Sequence, residues 1–379
     1  MKHKIVYLDN ASTTPVDPEV LKNMLPYFSG EYGNPESLHS LGLQAKQAID
    51  KARNTIARYL NCSVSEIIFL GSGTESNNLA IIGTARANKT KGDHLITSKI
   101  EHQSVLNAFK YLEKEGFNVT YLDPDKEGFI NPKQLKKAIT KNTILASIMF
   151  ANNEIGTVEP IKELAGICQK HGIIFHTDAC QAAEYFDLDT KKLGTDLLTV
   201  NGSKIYGPKG TAFLFIKKGI KIEPVFKGGD QEYGLRAGTH NVPGIVGLAK
   251  AFEIAQKNYK QESEKTEKLR DYFIENILKK ISHTSVNGPR KTMRLPNNIN
   301  ITIPKIEGKE LLLHLDNYGI FVGTGSACSS GENEASHVLT SIGLNPDSAK
   351  SSLRISLGKH TTKEDLDYTL EILAKITTN

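Results

Sequence analysis

Between Leu38 and Leu60 the apolar positions Leu41, Ala45, Ala48, Ile49, Ala52, Ile56 and Leu60 recur at spacings of three and four, which predicts an amphipathic helix. From Glu66 to about Gly219 the pattern changes. Seven short β-branched runs, IIFL, HLITS, VTYL, TILASIMF, IIFHTD, LLTV and TAFLFI, alternate with helical stretches, among them one from Thr74 and one from Pro160 to His171. This alternation predicts an α/β fold built on a mostly parallel sheet wrapped by helices. Ligands in such sheets sit beyond the carboxyl ends of the strands. Polar residues gather at those ends here: Gly71-Ser72-Gly73-Thr74, Glu101-His102, Asn152-Asn153-Glu154, Asp178, and Asn201 to Lys204.

A Gly-rich segment, Gly228 to Thr239, leads into a long charged helix from roughly Val242 to Lys280. A second region follows from Ser282, with NINITIP as a strand, a helix from Gly308 to Asn317, a Gly/Ser loop around Cys328 and a strand near Leu353 to Leu357. It reads as a smaller α+β unit. The expected division is a large domain over 15–255 and a small domain formed by 1–14 with 256–379, carrying Cys328.

Composition narrows the function classes. The 379 residues are 39% hydrophobic and 23% charged, ordinary for a globular chain. The net charge of +5 is spread among acidic residues rather than gathered in a stripe, so direct nucleic-acid binding is not expected. No apolar stretch is long enough for a signal peptide core or a membrane span, and a cytoplasmic location is expected. Cysteines 62, 168, 180 and 328 form neither a CxxC pair nor a metal-binding spacing with histidine, so no metal is expected. Cys62, Cys168 and Cys180 read as packing residues.

Strand, GSGT, then helix is an anion site or simply a capped helix start, and alone it does not decide. Nucleotide motifs fail: Gly202-x4-Gly207 is followed by Pro208 rather than Lys-Ser/Thr, and Gly71-x-Gly73 lacks a third glycine. Asp178 and Lys204 each end a strand. The pair fits either a structural ion pair or a pyridoxal phosphate site, in which a carboxylate faces the pyridine nitrogen and an amine forms an imine with the aldehyde.

At this point the sequence resembles the NifS/IscS-type cysteine desulfurases of the class V aminotransferases, fold-type I pyridoxal phosphate enzymes, nearly end to end. The likeness is carried by YLDNASTTPVD (7–17), GNPES (33–37), GSGTESNNLAI (71–81), EHQSV (101–105), NNEIG (152–156), HTDACQ (176–181), SKIYGPKG (203–210), GGDQEYGLRAGTHNV (228–242), GTGSACSS (323–330) and SSLRISLG (351–358). It implies a seven-stranded, mostly parallel sheet and pyridoxal 5′-phosphate bonded to Lys204, which also moves the Cα proton. Asp178 is then expected on the pyridine nitrogen, Gln181 on the ring hydroxyl, and His102 stacked on the ring as a catalytic residue that can also move protons. Gly73, Thr74 and Ser203 are expected at the phosphate, with Thr239 reaching it from the other subunit of a homodimer. Asn153, Asn34 and the carboxylate-gripping Arg354 are expected beside the substrate, L-cysteine.

Cys328, in GTGSACSSGENEAS, resembles the family's nucleophile, in the group with the longer and more mobile cysteine loop. The implied reaction turns L-cysteine into L-alanine and leaves a persulfide on Cys328 for an acceptor protein serving iron–sulfur assembly or tRNA thiolation. The chain departs from the family's Ser-x-His-Lys, having Asn201 and Ser203 at the first and third positions, and has Asp230 where a glycine is common. Two rivals follow: a selenocysteine lyase or other class V lyase or transaminase, and a catalytically reduced scaffold for sulfur-carrier proteins.

Overall fold

Short runs rich in Ile, Leu, Val and Phe pair into three sheets in the structure, a computed structural model that describes residues 4–325 and 335–377. Along the chain the strands are β1 (Val6–Tyr7), β2 (Ile67–Leu70), β3 (His94–Ser98), β4 (Asn118–Leu122), β5 (Thr143–Ser147), β6 (Ile174–Asp178), β7 (Leu197–Asn201), β8 (Ala212–Ile216), β9 (Ser285–Val286), β10 (Asn298–Thr302), β11 (Ile320–Phe321) and β12 (Ser352–Ser356). The central sheet has seven strands in the order β2-β8-β7-β6-β5-β3-β4. Its neighbours are parallel except at β8, which runs antiparallel to both β2 and β7. A parallel crossover needs about a dozen residues or more. Only residues 202–211 join β7 to β8, so the chain turns straight back, and Lys204 lies in that turn.

Both faces of the sheet are covered, as continuous apolar strands require. Ile67, Phe69, Phe213 and Phe215 face one core, with Ile49, Ile56 and Leu60 of the helix Ser40–Leu60 and Leu248 and Phe252 of the helix Val242–Lys280. Ile68, Leu70, Leu214 and Ile216 face the other, against Leu79, Val105 and Phe109. The alternation of neighbours between the cores follows from the two-residue strand period. Ile56 and Leu60 are fully buried, and each such side chain stabilises the fold by about 1.5–3 kcal/mol. Leu38, expected inside the first helix, lies outside it and is 91% exposed, because the His39 side chain accepts the Gly42 N–H and starts the helix at Ser40.

The helix Val242–Lys280 spans roughly 58 Å at 1.5 Å per residue. Its first half packs on the central sheet, and Phe273, Ile274 and Ile277 pack into a separate core with Ile299, Leu311, Leu353 and Ile355. That core lies under the antiparallel sheet β12-β10-β9 and the parallel pair β1-β11. The N-terminal segment therefore closes on the C-terminal region. Beyond β1, Asp9 bridges to Ser356 and the Ala11 N–H donates to Ser356 Oγ at 2.9 Å. Among the described residues no helix is long and apolar enough to cross a membrane.

Candidate active site

The carboxyl ends of β2, β3, β5, β6 and β7 open on one cavity, lined by Gly73, Thr74, His102, Asn153, Asp178, Gln181, Asn201, Lys204 and Arg354 among others. After β2 the chain enters the helix Gly73–Asn78, where Ser72 Oγ accepts the Glu75 N–H at 3.1 Å. The Ser72 hydroxyl is thereby used as a cap, whereas Thr74 is exposed to the cavity. A Cβ on Gly73 would stand 3.0 Å from Cys180 Sγ and 3.4 Å from Asn201 Cβ, so this close approach of backbone to the cavity floor requires glycine.

Asp178 ends β6 with both carboxylate oxygens engaged. Oδ1 accepts the Cys180 N–H at 2.9 Å and Oδ2 accepts the Asn77 amide at 2.7 Å. The same Asn77 nitrogen lies 2.9 Å from Ser104 Oγ, which in turn lies 2.8 Å from His102 Nδ1. His102 also caps the helix Gln103–Lys114, its Nδ1 taking the Ser104 N–H at 3.1 Å. Burial holds its pKa below the ordinary histidine value. The carboxylates of Asp178 and Glu154 oppose that shift, and Lys204 and His337 add to it.

The Lys204 amine donates to Ala11 O at 2.9 Å and to Ser12 O, and the Gln181 amide donates to Ala11 O at 3.0 Å. The N-terminal segment thus lines the cavity with Ala11 and Ser12. Arg354, only 2% exposed on β12, donates through Nη2 to Asp9 Oδ1 at 2.8 Å and Ser12 Oγ at 2.7 Å, and through Nη1 to Asn153 O at 3.3 Å. Its buried Nε has no acceptor among the described residues. A buried charged donor left unmatched is costly, so this N–H invites an acceptor from a ligand. Gly323, paired with Arg354 through backbone bonds in both directions, has no room for a side chain against the guanidinium.

Of the expected site residues, Lys204, Asp178, Gln181, His102, Gly73, Thr74, Asn153 and Arg354 share the cavity. Ser203 does not line it: its hydroxyl donates to Asn201 Oδ1 at 3.2 Å, and the Asn201 side chain takes the place at the wall. Thr239 and Asn34 are exposed and outside the cavity of their own chain. Asn34 Oδ1 accepts the Glu36 N–H in the turn before the first long helix. Cys328 lies outside the described residues. The flanks of that segment are described: Ser336 Oγ donates to Glu154 Oε2 at 2.5 Å, and a Cβ on Gly325 would meet the same oxygen at 3.3 Å.

Several site residues escaped the sequence reading. Cys180, assigned to packing, lines the cavity, and loss of solvent with the nearby Asp178 charge pushes its thiol well above the ordinary range, so it stays protonated. Glu101 is fully buried, its Oε1 accepting the Ser98 hydroxyl at 2.7 Å and the Met149 N–H at 2.9 Å, and burial raises its carboxyl to about 8. Asn77, Ser104, Asp9 and Ser12 had no assigned role.

Comparison with known proteins bears on this geometry. The family model described as Aminotransferase class-V matches residues 6–369. A protein of Dictyoglomus turgidum named cysteine desulfurase IscS is 51% identical over 371 residues, covering 98% of this chain and 94% of that protein. A solved structure described as a NifS-like protein is 36% identical and superposes with a TM-score of 0.93, covering 99% of this chain and 100% of the other. One described as SspA in complex with cysteine is 38% identical with a TM-score of 0.83, covering 94% of this chain and 100% of the other. By a family match that runs almost the whole length of the sequence, this chain belongs to the class V aminotransferases, in the branch whose relatives are named cysteine desulfurases.

Proposed function

We propose that this chain is a cysteine desulfurase: it converts L-cysteine to L-alanine, holds pyridoxal 5′-phosphate on Lys204, and takes the sulfur onto Cys328 as a persulfide for delivery to an acceptor protein. The observation that carries the reading is one cavity shared by the Lys204 amine, the Asp178 carboxylate and the Arg354 guanidinium, whose Nε has no acceptor among the described residues. The donor set fits the cofactor: an amine for the aldehyde, a carboxylate for the pyridine nitrogen, an amide at Gln181, and the Thr74 hydroxyl beside the glycine cradle at Gly73.

When bound, the cofactor supplies an electron sink for the charge left on breaking a bond at the substrate Cα. The protein does the rest. Arg354 grips the α-carboxylate, Lys204 moves the Cα proton, and Asp178 keeps the ring nitrogen charged. The Cys328 thiolate attacks the substrate sulfur, so the carbon–sulfur bond breaks as a sulfur–sulfur bond forms. L-cysteine plus a thiol gives L-alanine plus a persulfide, which balances without an external oxidant.

In this reading the large unit, 15–255, holds the cofactor, and the small one, 1–14 with 256–379, brings Arg354 and Cys328 to it. A homodimer suits Thr239, exposed and outside its own cavity, and the apolar Leu25, Phe28, Tyr32 and Leu38, exposed within one short stretch. The free thiols of Cys62, Cys168 and Cys180 suit the reducing cytoplasm. The acceptor is expected to be an iron–sulfur scaffold or a tRNA-thiolation protein. The test is to incubate the protein with L-cysteine and quantify alanine together with persulfide on the Cys328 peptide. Cys328→Ser is expected to abolish both, and undiminished alanine release from that variant would favour a lyase that needs no thiol.

A further inference from the structure

Beneath the cavity a chain of hydrogen bonds links two residues that the proposed reaction uses separately. The Asn77 amide nitrogen serves two acceptors, Asp178 Oδ2 at 2.7 Å and Ser104 Oγ at 2.9 Å. Its orientation is fixed, because a carboxylate oxygen only accepts and the amide must turn its nitrogen that way. Ser104 then meets His102 Nδ1 twice, through Oγ at 2.8 Å and through its backbone nitrogen at 3.1 Å. A backbone N–H only donates, so Nδ1 accepts and carries no hydrogen. Having accepted from Asn77, the Ser104 hydroxyl has its own hydrogen to give, and Nδ1 is where it points.

We propose that Ser104 and Asn77 are positioning residues that hold His102 as the neutral Nε2–H tautomer and tie its orientation to the carboxylate of Asp178. The inference rests on the proposed function only in treating His102 and Asp178 as parts of one reaction site; the tautomer follows from the bonds alone. It has a chemical consequence. A neutral ring with hydrogen on Nε2 and two donors on Nδ1 has no nitrogen ready to take a proton, so His102 enters the reaction as a hydrogen-bond donor. General-base work at the substrate Cα then falls to Lys204.

Among the described residues, the charged and titratable groups acting on the ring come from four elements. Asp178 stands at the end of β6, Glu154 in the loop after β5, Lys204 in the turn after β7, and His337 at the start of the helix His337–Ser341. The two carboxylates favour an imidazolium, whereas Lys204, His337 and desolvation oppose it. Protonation at Nδ1 would also set an N–H against the Ser104 N–H and hydroxyl, so the Ser104 contacts add to the side that keeps the ring neutral.

The test uses the purified full-length protein, selectively labelled with ¹⁵N-histidine, with the His102 signals assigned by comparison with His102→Gln. Long-range proton–nitrogen spectra are expected to show an unprotonated Nδ1 and a protonated Nε2 from about pH 6 to 8, around the ordinary histidine pKa. In Ser104→Ala, which removes one donor to Nδ1, the His102 titration is expected to shift upward in pH, and Ser104→Thr, which keeps the hydroxyl, to restore the parent midpoint. An Nδ1–H tautomer or a charged ring at neutral pH in the parent would overturn the proposal, as would superimposable titrations of the parent and Ser104→Ala. Should Ser104→Ala fail to fold, the parent spectrum decides alone. The two failures are told apart by separate readouts: a different tautomer in the parent spectrum sinks this inference whatever the cysteine turnover, and absence of cysteine turnover leaves the tautomer measurable.

Discussion

Replacing Arg354 by glutamine removes the cation assigned to the substrate carboxylate while keeping an amide of intermediate length. In the parent, Nη2 is shared between Asp9 and Ser12, Nη1 is weakly held by Asn153 O, and Nε has no acceptor among the described residues, so the guanidinium has donors to offer an incoming carboxylate. Charge-assisted hydrogen bonds contribute about 1.5–3 kcal/mol each. The loss of one of them, about 1.5–3 kcal/mol, corresponds to roughly a tenfold to 150-fold fall in kcat/KM for L-cysteine, since about 1.4 kcal/mol is a factor of ten. The fall is expected mainly in KM, measured by alanine formation over a range of cysteine concentrations, with the bound-cofactor absorbance retained. The substitution also strips Asp9 of its partner, and breaking a buried pair costs about 3–5 kcal/mol. The Asp9 side chain keeps 21% exposure, so a loss near the lower end is expected in thermal unfolding. A kcat/KM within twofold of the parent in a folded Arg354→Gln would refute the assignment.

Two further outcomes follow from the packing and the buried acids. Glu159 is 4% exposed, and burial first, then the charges of Glu101 and Asp125, raise its carboxyl to about 8. Because the folded pKa exceeds the unfolded value of about 4.3, the native state holds the proton more tightly; this stabilisation is complete at acid pH and is lost as pH rises through about 8, at up to about 1.4 kcal/mol per unit. Denaturant titrations are expected to fall in midpoint from pH 6 to 8.5, and less steeply in Glu159→Gln; equal slopes would show that Glu159 is ionised in the fold. Gly308 begins the helix Gly308–Asp316 against β12, and a Cβ there would stand 2.2 Å from Ser352 O. Gly308→Ala is expected to cost about 1–3 kcal/mol by forcing the helix off the strand that carries Arg354, read as a lower melting temperature with a raised KM for cysteine.

Much of the fold was legible because the central strands are buried on both faces and so read as unbroken apolar runs, and IIFL and HLITS became β2 and β3 without a shift. TILASIMF was read too long, since β5 ends at Ser147 and the rest of the run is buried in the loop that leads to Asn153. Lys204 and Asp178 stood out as charged residues ending apolar strands. Asn77 and Ser104 did not, because a polar residue in a helix is indistinguishable from a solvated one until the partner element is known, and Asn77 meets a carboxylate 101 positions away. The Arg354–Asp9 contact joins residues 345 positions apart and depends on the N-terminal segment lying across β12. Ser203 is expected at the phosphate, yet in the tight turn it is Asn201, two positions earlier, that lines the cavity while the Ser203 hydroxyl donates to its Oδ1, a difference that only the turn's geometry shows.

Lys204 is the lysine expected to hold the cofactor covalently. Borohydride reduction of the purified protein followed by peptide mass mapping should find a pyridoxyl phosphate adduct on the peptide containing Lys204 and on no other. An adduct on a different lysine, or none on protein saturated with pyridoxal phosphate, would contradict it.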